Sequence, residues 1–333
     1  MPLEAAQLGF PELTATLKAA AEATRLRLLM LIAEAELTVS DLTSILRQSQ
    51  PRLSRHLRLL AEAGLVERYR EGSWAFFRLS EGGSVADIAR SLIARLDAND
   101  PIIARDRERL AAVRATRAAT AQNYFRRHAA EWDRIRRLHV TDAAVEDAIR
   151  AALGDQPIRS LIDLGTGTGR MLELFANDIE RGLGLDLSLD MLAFARTRLD
   201  RAGLKHCSVR HGDIYDLALA RDSFDVVIIH QVLHFLDDSG RAIREAARVL
   251  RPGGRLLVVD FAPHDLEFLR EEHAHRRLGF TAEAVKQWIE AAGLDFLRQQ
   301  ALPPGPEGKI AVSLWLGRDP RITLAAPATR EVA

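Results

Sequence analysis

Apolar residues at Leu13, Leu17, Ala20, Leu28, Leu29 and Ile32 follow a helical period, so the spacing predicts one helix over residues 13–33. Thr38-Val39-Ser40-Asp41 is a helix-start signal leading into Leu42–Leu46. Gln48-Ser49-Gln50-Pro51 opens a second helix through Leu53, Leu57 and Leu60, which Gly64 ends. Two β-prone runs, 65–70 and 73–79, flank Glu71-Gly72 and predict a hairpin. An amphipathic helix follows over 85–96, broken by Asn99-Asp100-Pro101. From Ile102 to about Arg137 the pattern is helical and basic, with Tyr124, Phe125 and Trp132 near its end.

After Pro157 the rhythm changes. Short apolar runs at 161–164, 183–186, 208–211, 226–230 and 256–261 alternate with helical stretches, the signature of βαβ units and a parallel sheet. The late runs 294–297 and 310–316 are expected as an antiparallel edge pair, and 319–333 as a disordered tail. The pattern thus divides the chain into a small helical domain with a β-wing over 10–98, a basic helical linker over 99–137 and an α/β domain over 138–318.

Composition changes this picture little. The 333 residues suffice for two cores, and no window has the apolar length of a membrane helix. No signal peptide is evident, and the single cysteine, Cys207, rules out an intramolecular disulfide and suits a reducing compartment, so the expected location is cytoplasmic. Net charge is zero, but residues 99–137 hold ten basic against five acidic side chains, and 44–78 hold seven arginines against three glutamates. Charge alone fits a phosphate-facing surface and a solvated, arginine-rich one equally.

Helix, tight turn, helix and β-wing together form a winged helix-turn-helix, whose second helix would enter the major groove. Its early positions Gln50, Arg52, Ser54, Arg55 and His56 are candidate base and phosphate contacts, and Arg68, Arg70 and Arg78 on the hairpin are candidate backbone contacts. Residues 24–29, 36–42, 49–57 and 63–66 resemble the ArsR/SmtB family of dimeric repressors. The resemblance implies a homodimer, pairing through first and last helices such as 85–96, and a palindromic double-stranded operator. Thiol-sensing members place cysteines around the turn that here reads Thr38-Val39-Ser40, and the helix 85–96 has no histidine, so metal sensing at either site is not expected.

Asp163-Leu164-Gly165-Thr166-Gly167-Thr168-Gly169-Arg170 is a strand end, a glycine turn and a helix start. The dinucleotide fingerprint would put its third glycine at Arg170, and Asp163 would crowd a pyrophosphate, so NAD is disfavoured. A ligand with a cationic end and no phosphate fits better. The Asp-x-Gly-x-Gly-x-Gly run resembles the first motif of class I S-adenosylmethionine-dependent methyltransferases. Asp186-Leu187-Ser188-Leu189-Asp190-Met191, Gly212-Asp213-Ile214, residues 226–236 and 250–256 resemble the later ones. The resemblance implies a Rossmann-like domain in which Gly165, Gly167 and Gly169 let backbone approach the amino-acid and ribose parts and Asp163 bonds the ligand's amino group directly or through water. It further implies that Asp186 accepts the ribose hydroxyls, Met191 packs on adenine and Asp213 accepts from the adenine amine, with Ile214 beside it in the cofactor site. His230 then borders the site and Tyr124 and Trp132 form an aromatic lid.

Whether the domain turns its ligand over is open. His230, His234, Asp260, His264, Glu271, Glu272, His273 and His275 are candidate bases at the carboxyl edge of the sheet. His264, His273 and His275 fit a substrate or metal site less well than a charged helix face, since strict ligand spacing is absent. Arsenite chemistry needs several thiolates, and Cys207 stands alone. The expectation is a DNA-binding regulator, a repressor, with S-adenosylmethionine or S-adenosylhomocysteine as its nucleoside effector. The combined resemblance extends to regulators of methionine-cycle genes. The competing reading is a small-molecule methyltransferase carrying a DNA-binding module.

Overall fold

The structure is a computed structural model, and it describes residues 7–71, 73–80, 83–132, 142–154, 156–304 and 310–322. The end of the basic stretch (133–137) and the tail from residue 323 lie outside the described residues. The chain divides into two compact units, Met1–Thr120 and Ala121–Ala333.

The first unit opens with α1 (Phe10–Ala20) and α2 (Ala23–Glu34), where the apolar spacing predicts one helix. The break has a local cause. Ala21 leaves helical geometry, and the Glu22 side chain caps α2 by accepting from Arg25 N at 2.9 Å. The two-residue strand β1 (Leu37–Thr38) leads to α3 (Val39–Leu46). A reciprocal capping box between Thr38 and Asp41 starts α3, an arrangement worth about 1 kcal/mol. Arg47, in the left-handed region at φ 53°, makes the turn into α4 (Gln50–Glu62). Strands β2 (Val66–Glu71) and β3 (Trp74–Leu79) form the antiparallel wing, and β1 pairs with the far side of β3. α5 (Gly83–Ile93) completes a core built on Leu28, Leu31, Leu42, Ile45, Leu53, Leu57 and Leu60.

The helix α6 (Pro101–His128) revises the expected linker: residues up to Thr120 belong to the first unit. Ile103 and Leu110 are buried in its core. Asp106 is wholly buried and takes a two-pronged pair from Arg27, at 2.5 and 2.7 Å. Arg107 bonds Glu34, Arg114 the Glu34 carbonyl, Arg109 the Ile45 carbonyl, and Arg117 pairs with Asp41. Four of the ten basic side chains in 99–137 are therefore held by this unit's own acids and helix C-termini.

The second unit holds α7 (Asp142–Leu153), β4 (Ile158–Leu164), α8 (Arg170–Leu174), β5 (Ile179–Asp186), α9 (Leu189–Arg201), β6 (Cys207–His211) and β7 (Phe224–His230). Then follow α10 (Ser239–Val249), β8 (Leu250–Phe261), α11 (Phe268–Glu272), α12 (Ala282–Ala291), β9 (Asp295–Leu302) and β10 (Val312–Arg318). The sheet order is β6-β5-β4-β7-β8-β10-β9, parallel from β6 to β8. The two late strands do pair antiparallel, but β10 lies inside the sheet, between β8 and β9. Its run Val312–Leu316 is buried throughout, as an interior strand requires. Apolar clusters cover both faces of the sheet. No described helix is long and apolar enough to cross a membrane.

Candidate nucleoside site and DNA-binding helix

In the second unit the site grows from the end of β4. Gly165, Gly167 and Gly169 all have positive φ (74°, 52° and 83°), which side chains beyond glycine resist. The N–H groups of Gly165 and Thr166 donate to the Leu185 carbonyl at 2.8 and 2.9 Å, stitching the turn to β5. Two glycines make the approach feasible. A side chain on Gly165 would collide with Val232, and a Cβ on Gly184 would lie 2.6 Å from Thr166 Oγ1.

Asp186 closes the cradle. Its Oδ2 accepts from Gly167 N and its Oδ1 from Ser188 N, both at 2.8 Å, so one carboxylate fixes both the turn and the start of α9. Burial pushes its pKa up, against those two N–H bonds, which lower it. Each oxygen keeps a further lone pair for a ligand hydroxyl. Asp163 is buried beneath the turn and accepts from Thr166 Oγ1 at 2.7 Å, so it shapes the cradle from below. Asp213 is exposed after β6, its Oδ1 accepting from Tyr215 N. His230 stands half-buried at the end of β7.

Met191 and Ile214, both expected at the adenine, are buried, Met191 with Leu192 and Ala195 among the buried residues of α9. The exposed apolar side chains beside Asp186 are Leu187 and Leu189.

The aromatic residues do converge on the turn. Trp132 Nε1 lies 3.4 Å from where a side chain on Gly167 would begin. Phe125 packs edge-on against Trp132 (5.3 Å between centroids) and Phe235 (4.8 Å), a partner the sequence reading missed. Tyr124, 6.4 Å from Trp132, shares a 2.7 Å hydrogen bond with His273 Nδ1, and burial lifts its pKa to about 12. Burial also lowers the His273 pKa, keeping that ring neutral near pH 7. His234 and Asp260, separate candidates in the sequence, form a buried pair with His234 Nδ1 2.7 Å from Asp260 Oδ1. Among the described residues no group of three or more His, Cys, Asp or Glu could hold a metal ion.

In the first unit, α4 presents Gln50, Arg52 and Arg55 to solvent and Ser54 half-buried. His56 departs from that row. Its ring turns inward, with Nδ1 3.6 Å from Glu22, and burial lowers its pKa despite the carboxylate. On the wing Arg68 and Arg70 are exposed, whereas Arg78 is paired with Glu67 at 2.8 Å and lies over Tyr69.

Residues 22–68 match the description "Bacterial regulatory protein, arsR family", and residues 162–258 match "Methyltransferase domain". The chain joins an ArsR-family helix-turn-helix domain to a methyltransferase domain. Its relatives include the arsenite methyltransferase of Aquipseudomonas alcaligenes, 39% identical over 110 residues, covering 30% of this chain and 32% of that protein. The malonyl-[acyl-carrier protein] O-methyltransferase of Methylococcus capsulatus is 34% identical over 157 residues, covering 45% of this chain and 56% of that protein. The chain therefore spans between 32% and 56% of these two relatives' length. Among solved structures, the N-methyltransferase NodS of Bradyrhizobium japonicum, in complex with S-adenosyl-L-homocysteine, is 21% identical with a TM-score of 0.45, over 54% of this chain and 88% of that one.

Proposed function

We propose that the protein is a DNA-binding transcriptional regulator, a repressor, whose methyltransferase domain binds S-adenosylmethionine or S-adenosylhomocysteine as effector. The observation that carries this reading is the union in one chain of an ArsR-family helix-turn-helix domain with a methyltransferase domain that retains a glycine cradle closed by Asp186.

The residues fit such a nucleoside. A ribose diol would bond the free lone pairs of Asp186, the adenine would lie near Leu187 and Asp213, and the amino-acid end would face the glycine turn above Asp163. When bound, S-adenosylmethionine supplies a methyl group made electrophilic by the sulfonium. Its demethylated product shares the remaining contacts.

On the DNA side, Gln50, Arg52, Ser54 and Arg55 would read base edges and Arg68 and Arg70 would hold phosphates. His56, half-buried with Nδ1 3.6 Å from Glu22, would contribute less to that contact. The protein would act as a homodimer on a palindromic operator in the cytoplasm. The exposed face Phe10, Leu13 and Leu17 of α1 supports pairing through the first helix. The α5 side chains Val85, Leu92 and Ile93 are half covered by their own core, which leaves them a smaller share of that contact.

α6 offers a route for the response. Its early arginines hold α2 and α3, and its last turns carry Tyr124 and Phe125. Effector-dependent ordering of those rings would bias the helix that supports the DNA-reading elements. Control of methionine-cycle genes is the role that suits such an effector. Arsenite is a poor fit as substrate, because Cys207 is buried and alone. The test is operator binding titrated with each nucleoside in turn: a selective shift by one supports the reading, and no shift with either refutes it.

A further inference from the structure

We propose that His234 and Asp260 form a base pair for methyl transfer to a flat, uncharged acceptor of the phenol class, with His234 as catalytic base and Asp260 as its positioning residue. The inference takes its methyl donor from the nucleoside reading above but does not depend on any response of DNA binding.

The geometry begins with burial. Asp260 is completely buried near the end of β8, and His234 is 2% exposed just past β7. Oδ1 of Asp260 receives His234 Nδ1–H at 2.7 Å and Phe261 N at 2.8 Å, while His234 N approaches Oδ2 at 3.4 Å. A carboxylate only accepts, so the proton sits on Nδ1 and Nε2 presents its lone pair. Among the described residues Nε2 of His234 has no hydrogen bond. A buried pair of this kind adds little stability over an apolar pair of similar volume, so its presence at the carboxyl edge of the sheet calls for a role.

Its neighbours in sequence reach the cradle. Val232, two residues before His234, abuts Gly165. Phe235, the next residue, has its ring 4.1 Å from that of His234 and 6.3 Å from that of Trp132, which covers Gly167. One aromatic ring thus separates the base from the lid over the glycine turn. The aromatic side chains nearest this corner are Phe125, Trp132 and Phe235, with Tyr124, whose pKa burial raises to about 12, and His273, whose pKa burial lowers. His275, 4.2 Å from His234 and stacked on Phe261, closes the inner side. Such side chains suit an aromatic ring better than an ion, and an acidic O–H on that ring gives the base a proton to remove.

The step balances. The acceptor O–H gives its proton to Nε2 of His234, an oxygen lone pair forms the new O–CH3 bond, and the electrons of the breaking C–S bond return to sulfur, leaving a neutral thioether.

Two measurements on the full-length protein test this. First, methyl-labelled S-adenosylmethionine is incubated with catechol or 1-naphthol and the label followed into the phenol. The wild type is expected to transfer it, and His234→Gln to lower kcat by about 10²- to 10³-fold with KM unchanged. Second, long-range 1H–15N spectra of the ligand-free protein report the His234 tautomer without any donor present. The expected state is Nδ1 protonated and Nε2 bare, shifting toward a tautomer mixture in Asp260→Asn. Label entering neither phenol, equal transfer by His234→Gln, or a proton on Nε2 in the wild type each overturns the proposal. Calorimetry with S-adenosylhomocysteine separates the two readings: binding without transfer sinks only the base pair, while absent binding sinks the nucleoside site as well.

Discussion

Replacing Asp186 with alanine is the sharpest perturbation of the cradle. The carboxylate accepts two backbone N–H bonds at 2.8 Å, from Gly167 and Ser188, and those bonds aim its remaining lone pairs at a ribose. Hydrogen bonds to a charged group are each worth about 1.5–3 kcal/mol. Losing both ribose contacts should therefore cost about 3 kcal/mol or more, which is roughly a hundredfold or greater drop in affinity. Gly167 N also loses its partner, so the turn loosens on the ligand side. Calorimetry with S-adenosylhomocysteine measures the binding loss, and fluorescence anisotropy on labelled operator measures the response. The expected variant binds operator as the wild type does without ligand and no longer responds to ligand. An undiminished response in Asp186→Ala refutes the coupling of this site to DNA.

Other consequences are independent of that one. Arg52→Ala and Arg55→Ala should each weaken operator binding by about 1–3 kcal/mol in a base-dependent way; unchanged affinity in both would mean that α4 is not the reading helix. Arg27→Ala strands the buried Asp106 carboxylate and should cost about 3–5 kcal/mol of stability, read by urea denaturation of the chain. Nucleoside binding should weaken on acidification. The Asp186 pKa is raised above 3.8, so its ionised, accepting form is lost as pH falls through a midpoint higher than an ordinary aspartate's. A midpoint at or below 3.8 in a calorimetric pH series would contradict the burial argument.

The fold was largely legible because its signals are local. Thr38 and Asp41 announce α3, Gly64 closes the helix turn, and the glycine run after Asp163 can only be a strand-to-helix turn. What escaped were matters of partner. Apolar spacing cannot show that Glu22 caps a new helix, because its signal is one side chain folding back on Arg25 N. Nor can a charge count show that Arg107, Arg114 and Arg117 are spent on Glu34 and Asp41, more than 70 residues away in sequence. Met191, placed at the adenine by motif, is a buried residue of α9, which the motif alone does not show. His234 and Asp260 stood in the sequence as separate candidates. Only the adjacency of β7 and β8 brings them together.

The central claim is that a methionine-derived nucleoside changes how this protein holds DNA. It is tested most directly by measuring operator affinity of the full-length protein by anisotropy, with an operator selected from a random duplex pool, at fixed salt. The titration is run without ligand, with S-adenosylmethionine and with S-adenosylhomocysteine. The account predicts that one nucleoside shifts Kd by at least about fivefold relative to the other. Identical affinities in all three titrations, with nucleoside binding confirmed by calorimetry, would contradict it.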